Sequence, residues 1–139
     1  MTTLLLSILL STASAQASTL KLTIDGVRSD QGQLLVAIFD DAESFPRVPE
    51  KAVVKKVLPA ADGRVEIVID QLKQGSYAVA LHHDENGDTK MNFNFVGMPK
   101  EGFGFSGNKR IFFGPPSFKN AKFDIAGSET KCDVKMKYF

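Results

Sequence analysis

The chain has no tryptophan, one cysteine and almost no net charge, with 17 Lys+Arg against 16 Asp+Glu in 139 residues. A lone cysteine cannot close an internal disulfide, so the domain must be stable from its core alone. A net charge of +1 removes the attraction on which non-specific nucleic-acid binding rests, and no nucleic-acid partner is expected. Nowhere do about 20 apolar residues run together, as a membrane-spanning helix would need. The lack of Trp and the presence of only 2 Tyr leave little flat amphipathic surface for stacking on sugars. What is present is an ordinary globular composition, 43% hydrophobic, enough for one domain.

Residues 4–10 read Leu-Leu-Leu-Ser-Ile-Leu-Leu and are followed by small residues from Ser11 to Ala17. A short apolar run that ends in small residues is the pattern of a cleaved secretory signal. The positive n-region is missing here, and Ser11, Thr12, Ser14 and Gln16 break the run too early for an anchor. The expectation is a signal over residues 1–17, cut after Ala15 or Ala17, and a single domain over 18–139. The product would be exported, with no membrane insertion after cleavage.

Beyond the signal, hydrophobic alternation dominates. Leu20, Leu22 and Ile24 alternate with polar residues, Val65, Ile67 and Ile69 alternate with Glu66, Val68 and Asp70, and each set predicts a half-buried strand. Residues 33–40 are almost wholly apolar, which predicts a central strand covered on both faces. Further strands are expected over 52–58, 77–83, 121–125 and 129–138. Cys132, Val134, Met136 and Tyr138 share one face of the last, so the thiol is expected in the core. Leu72-x-x-Gly75-x-Tyr77 at a strand entrance has the spacing of a tyrosine corner, whose hydroxyl bonds back to the preceding arch. About seven short strands with no helical period predict an all-β, antiparallel Greek-key β-sandwich.

The stretch from His82 to Pro116 lacks a strand pattern and is too long for an ordinary connection. Eight of the eleven Phe residues fall between Phe93 and Phe123, so the expectation is an ordered cap that buries aromatic surface. At its entrance Asp84, Asn86 and Asp88 match positions 1, 3 and 5 of a calcium loop, with the Lys90 carbonyl at 7 and Asn92 at 9. Position 6 is Thr89 where the turn wants Gly, and position 12 is Phe95 where a bidentate Glu should stand. Glu101 supplies a carboxylate only if the loop folds back. Such a set predicts weak binding, with a Kd of about 10⁻⁴–10⁻³ M, and the alternative is an Asx-rich turn bonded to its own backbone.

His82 and His83 are adjacent on a strand and point to opposite faces, so they cannot share one ion. His82 and Asp84 can share a face but lack a third ligand at a recognisable spacing. The sequence has neither Gly-x-Ser-x-Gly nor His-Glu-x-x-His, and nothing in it nominates a nucleophile.

The run His83-Asp84-Glu85-Asn86-Gly87-Asp88, continued by Asn94-Phe95-Val96-Gly97-Met98-Pro99-Lys100-Glu101-Gly102-Phe103-Gly104-Phe105-Ser106, resembles the bacterial domain-of-unknown-function family 2141. Leu72-x-x-Gly75-x-Tyr77 and the Gly32-Gln33 hairpin fit as well. The resemblance implies a small exported protein of Gram-negative bacteria, periplasmic or extracellular, with a prealbumin-like sandwich of the carboxypeptidase regulatory type. Members commonly show Gly where Thr89 stands and Asp where Asn92 stands, and both departures weaken a calcium site. The family supplies no activity.

Three functions follow. The first is a non-enzymatic binding module acting through the 82–116 loop, with Phe93, Phe95, Glu101, Phe103 and Phe105 as its contact residues. Its partner would be a protein, a small ligand or an envelope component, with calcium as a candidate cofactor. The second is a metal-assisted hydrolase centred on His82, Asp84 and Glu101, which requires those three to converge. The third is a purely structural envelope protein.

Overall fold

Alternation along β1 (Ser18–Val27) puts Leu20, Leu22 and Ile24 wholly out of solvent while Lys21 points away. The same period runs through β2 (Gln33–Phe39), where Leu34, Val36 and Ile38 are buried. The two strands face each other from different sheets in this computed structural model, which describes residues 17–92, 97, 99–108 and 114–139. The expected signal segment lies almost entirely outside the described residues.

The remaining strands are β3 (Val54–Pro59), β4 (Gly63–Leu72), β5 (Gly75–Asp84), β6 (Gly102–Phe105), β7 (Phe123–Ile125) and β8 (Glu129–Lys135), with one helical turn, α1 (Phe118–Ala121), before β7. A three-stranded sheet has the order β4-β1-β8, and a five-stranded sheet the order β3-β2-β5-β6 with β7 also paired to β5. Between them lies the main core, which adds Val79 and Leu81 from β5 and Val134 from β8 to the residues above. Each such side chain contributes about 1.5–3 kcal/mol by leaving water.

Two expectations are corrected. The sandwich is not wholly antiparallel, because β1 pairs β8 in parallel from Thr19↔Glu129 to Asp25↔Lys135. Alternation sets which face a residue occupies and carries no information about strand direction. Residues 121–125 are not all strand either, since Ala121 closes α1 and β7 begins at Phe123. Ser117 caps that turn by accepting from the Asn120 N–H.

The tyrosine corner is present, with the Tyr77 hydroxyl donating to the Lys73 carbonyl at 2.6 Å. Cys132 is half-buried against the core, and desolvation pushes its thiol up to about 12. The larger sheet also has an apolar cap on its outer face. Phe45 meets Phe39, Phe105 and Phe118 edge-on, with ring centroids 5.4, 6.0 and 6.1 Å away. Residues at the start of β5 and the end of β2 are thus covered on both faces.

One flank of the sandwich is closed by the carboxy-terminal segment. Phe103 and Lys137 exchange backbone hydrogen bonds of 3.0 and 2.7 Å, which joins β6 to the chain leaving β8. Gly102 permits this, because a Cβ there would sit 2.2 Å from the Tyr138 ring. At the other flank lie β3 and β4, the end strands of the two sheets.

Candidate functional site

At its end β5 sends successive side chains to opposite faces, so His83 turns inward while His82 and Asp84 turn outward. His83 is fully buried, with Nε2 2.7 Å from the Gln31 carbonyl oxygen and Nδ1 2.8 Å from the Tyr138 hydroxyl. A carbonyl only accepts, so Nε2 carries a hydrogen. The Arg28 guanidinium lies 4.4 Å over the Tyr138 ring, and burial raises the Tyr138 phenol. His83 therefore anchors the carboxy-terminal segment under the loop and faces away from its cleft.

Asp84 organises the acidic turn. Its Oδ1 accepts from the Asp88 N–H at 3.1 Å, and its Oδ2 accepts from the Thr89 N–H and from Gln33 Nε2, both at 2.8 Å. Asp88 in turn accepts from the Lys90 N–H at 2.9 Å and from the side-chain amides of Asn86 and Asn92 at 3.2 Å each. These donors hold the Asp88 carboxyl below its usual range, the Lys90 N–H most of all. Thr89 takes φ +64°, the left-handed turn for which position 6 of a calcium loop prefers Gly. A β-branched residue is a genuine outlier there, strained by about 1–3 kcal/mol.

The loop does fold back. Glu101 Oε2 accepts from the Glu85 N–H at 2.7 Å, and Oε1 lies 3.0 Å from Asn92 Nδ2 and 3.1 Å from His82 Nε2. Asp84 is fully buried and Glu101 is 5% exposed. One ligand atom each from His82, Asp84 and Glu101 falls within 4.8 Å of the other two. Beside them opens a polar cleft lined by Gln31, Glu85, Asn86, Asn92, Lys100 and Glu101. Glu85 closes one wall by an ion pair with Arg28, whose hydrogen bonding lowers the Glu85 carboxyl.

The residues expected to ligate calcium are therefore neighbours, but they bond each other. Asn86 and Asn92 present amide nitrogen to Asp88, and the Lys90 carbonyl lies 3.4 Å from Asn92 Nδ2. Both amides must turn to offer oxygen to a cation.

Phe93 and Phe95 lie outside the described residues. Phe103 and Phe105 belong to β6, where Phe103 is 8% exposed and packs on Phe105 and Phe139 with centroids 5.8 and 5.6 Å away. Gln33, Arg28 and Tyr138 were not foreseen at the site. The pairing Gln33↔Asp84 brings in the first, and the hairpin leading into residue 33 was its only signal in the sequence.

Neither a curated protein nor a solved structure matches the chain. One family model does, over residues 22–133, which runs from within β1 through most of β8 and takes in the whole acidic loop. The chain belongs to that family, described as an uncharacterized protein conserved in bacteria, DUF2141.

Proposed function

We propose that this protein is an exported, non-enzymatic binding module whose recognition element is the junction between the end of β5 and the 84–101 loop, and that the group it takes is a divalent cation. The observation that carries this reading is the convergence of two buried carboxylates, Asp84 and Glu101, with the His82 imidazole beside an open polar cleft. Two carboxylates this close repel each other, and a cation between them offsets that repulsion. Asn86 and Asn92 line that cleft and bond Asp88 through their amides, which supports a supply of oxygen ligands for a hard cation once those amides turn. Export rests on the apolar run over residues 4–10 and the small residues after it. No helix among the described residues is long and apolar enough to cross a membrane.

The test is thermal unfolding in millimolar calcium, in zinc and in chelator. At the Kd of about 10⁻⁴–10⁻³ M expected of this ligand set, about 1 mM calcium stabilises by about 0.4–1.4 kcal/mol, up to several degrees for a domain of this size. Calcium is expected to raise Tm in the natural sequence and to leave Asp84→Asn and Glu101→Gln unmoved. A metal-assisted hydrolase would use the same convergence, and a zinc response lost in His82→Ala would favour it. Indifference to both metals would reduce the loop to a self-bonded turn and end the cation reading.

A further inference from the structure

A second feature, remote from the acidic loop, concerns the flank opposite the carboxy-terminal closure. There β3 ends the larger sheet and β4 ends the smaller one, and among the described residues neither has a strand on its outer edge. Among the described residues, three of the four large apolar side chains most open to solvent are found here: Val53 just before β3 and Val57 within it, at 48% and 64% exposure, and Val68 of β4 at 58%. The inward residues Val54 and Leu58 of β3 and Val65 and Ile67 of β4 are only half-buried, so the core itself reaches solvent along this seam.

The two edges differ in charge, although Arg64 at the start of β4, paired with Asp25, adds one positive group to that side. Lys55 and Lys56 are the charged residues of β3, and Lys51 precedes them. On β4, Glu66 and Asp70 flank Val68 on the outer face. Lysines on a free edge hold off a second identical strand. They do not hold off an acidic one.

We infer that this seam joins two copies of the chain, the β3 edge of each pairing antiparallel with the β4 edge of the other. The geometry allows it. Gln33, Pro59, Gly63 and Val27 all lie at one end of the sandwich, so β3 runs toward that end and β4 away from it. A twofold axis parallel to the strands brings the partner's β3 alongside β4, running in the opposite direction. Outer faces then continue into outer faces, and each five-stranded sheet extends into a three-stranded one. The register that sets Val57 against the partner's Val68 also sets Lys55 against its Asp70 and the inward Leu58 against its Ile67. Cross-strand pairs of this kind are the units that stabilise a sheet. The twofold repeats them, covers both halves of the seam and closes the assembly at two copies.

Sedimentation equilibrium of the purified protein at about 100 μM tests this at a concentration where a Kd of about 1 μM gives mostly dimer. The natural chain is expected at twice the monomer mass. Val68→Lys and Lys55→Asp are each expected at the monomer mass with thermal unfolding still cooperative. The double variant Lys55→Asp with Asp70→Lys, which exchanges the charges, is expected to return to the dimer. A natural chain that stays monomeric overturns the inference, and with it any claim of the seam on a second copy. So does a dimer indifferent to Val68→Lys, or one that the charge exchange fails to restore. The cation experiment reads a different face, so failure of one leaves the other standing.

Discussion

The outer face of the larger sheet is covered at both ends, by two different kinds of chemistry. At one end Phe45 stacks edge-on among Phe39, Phe105 and Phe118, over Ala78 and Ala121. At the other, Asp84 and Glu101 draw the loop down by accepting the N–H groups of Glu85, Asp88 and Thr89. Apolar packing is non-directional and indifferent to pH. A carboxylate that holds backbone is directional, carries charge into a dry place and can be re-ligated. The first end is closed by apolar packing, and the second by hydrogen bonds to two carboxylates.

The comparison breaks most sharply at Phe45, which is 6% exposed. Phe45→Ala should destabilise by about 3–5 kcal/mol, read by urea unfolding, while leaving any cation response at the far end intact. Loss of that response would mean that the two ends fold as one unit. Thr89→Gly should act in the opposite direction. Relief of the left-handed strain exceeds the entropy glycine adds to the unfolded chain, for a gain in unfolding free energy of up to about 1 kcal/mol, read as a higher urea midpoint. An unchanged midpoint would mean that the Thr89 turn is not strained.

The smallest effect is electrostatic. Arg28 lowers the folded Glu85 carboxyl below its ordinary 4.5, so the stability it contributes is present above that value and lost as pH falls through the lowered one. Arg28 is 43% exposed, which keeps the contribution below about 1 kcal/mol. Arg28→Ala should therefore leave a shallower fall in stability below pH 4.5 than the natural chain shows.

How much of this the sequence discloses depends on what alternation can carry. It separates the faces of β1, β2, β4 and β5, and it sends His82 and His83 apart. The Leu72-Gly75-Tyr77 spacing locates the corner because that bond is local. Strand β6 stays hidden, since Gly102 and Gly104 weaken strand propensity and the strand exists through its partners on β5 and at Lys137. The site is half legible. Asp84, Asn86 and Asp88 are close in sequence, whereas Glu101 and Gln33 arrive only through the fold-back and the register.

The parallel pairing of β1 with β8 also governs the order of assembly. The first strand of the domain receives its second neighbour from residues 129–135, far along the chain from its own residues 19–25. Until then β1 can settle only against β4, with one edge bare and Leu22 and Ile24 lacking Cys132 and Val134 beside them. Contacts this distant in sequence slow folding, so the three-stranded sheet is completed late, after β1 and β4 have paired.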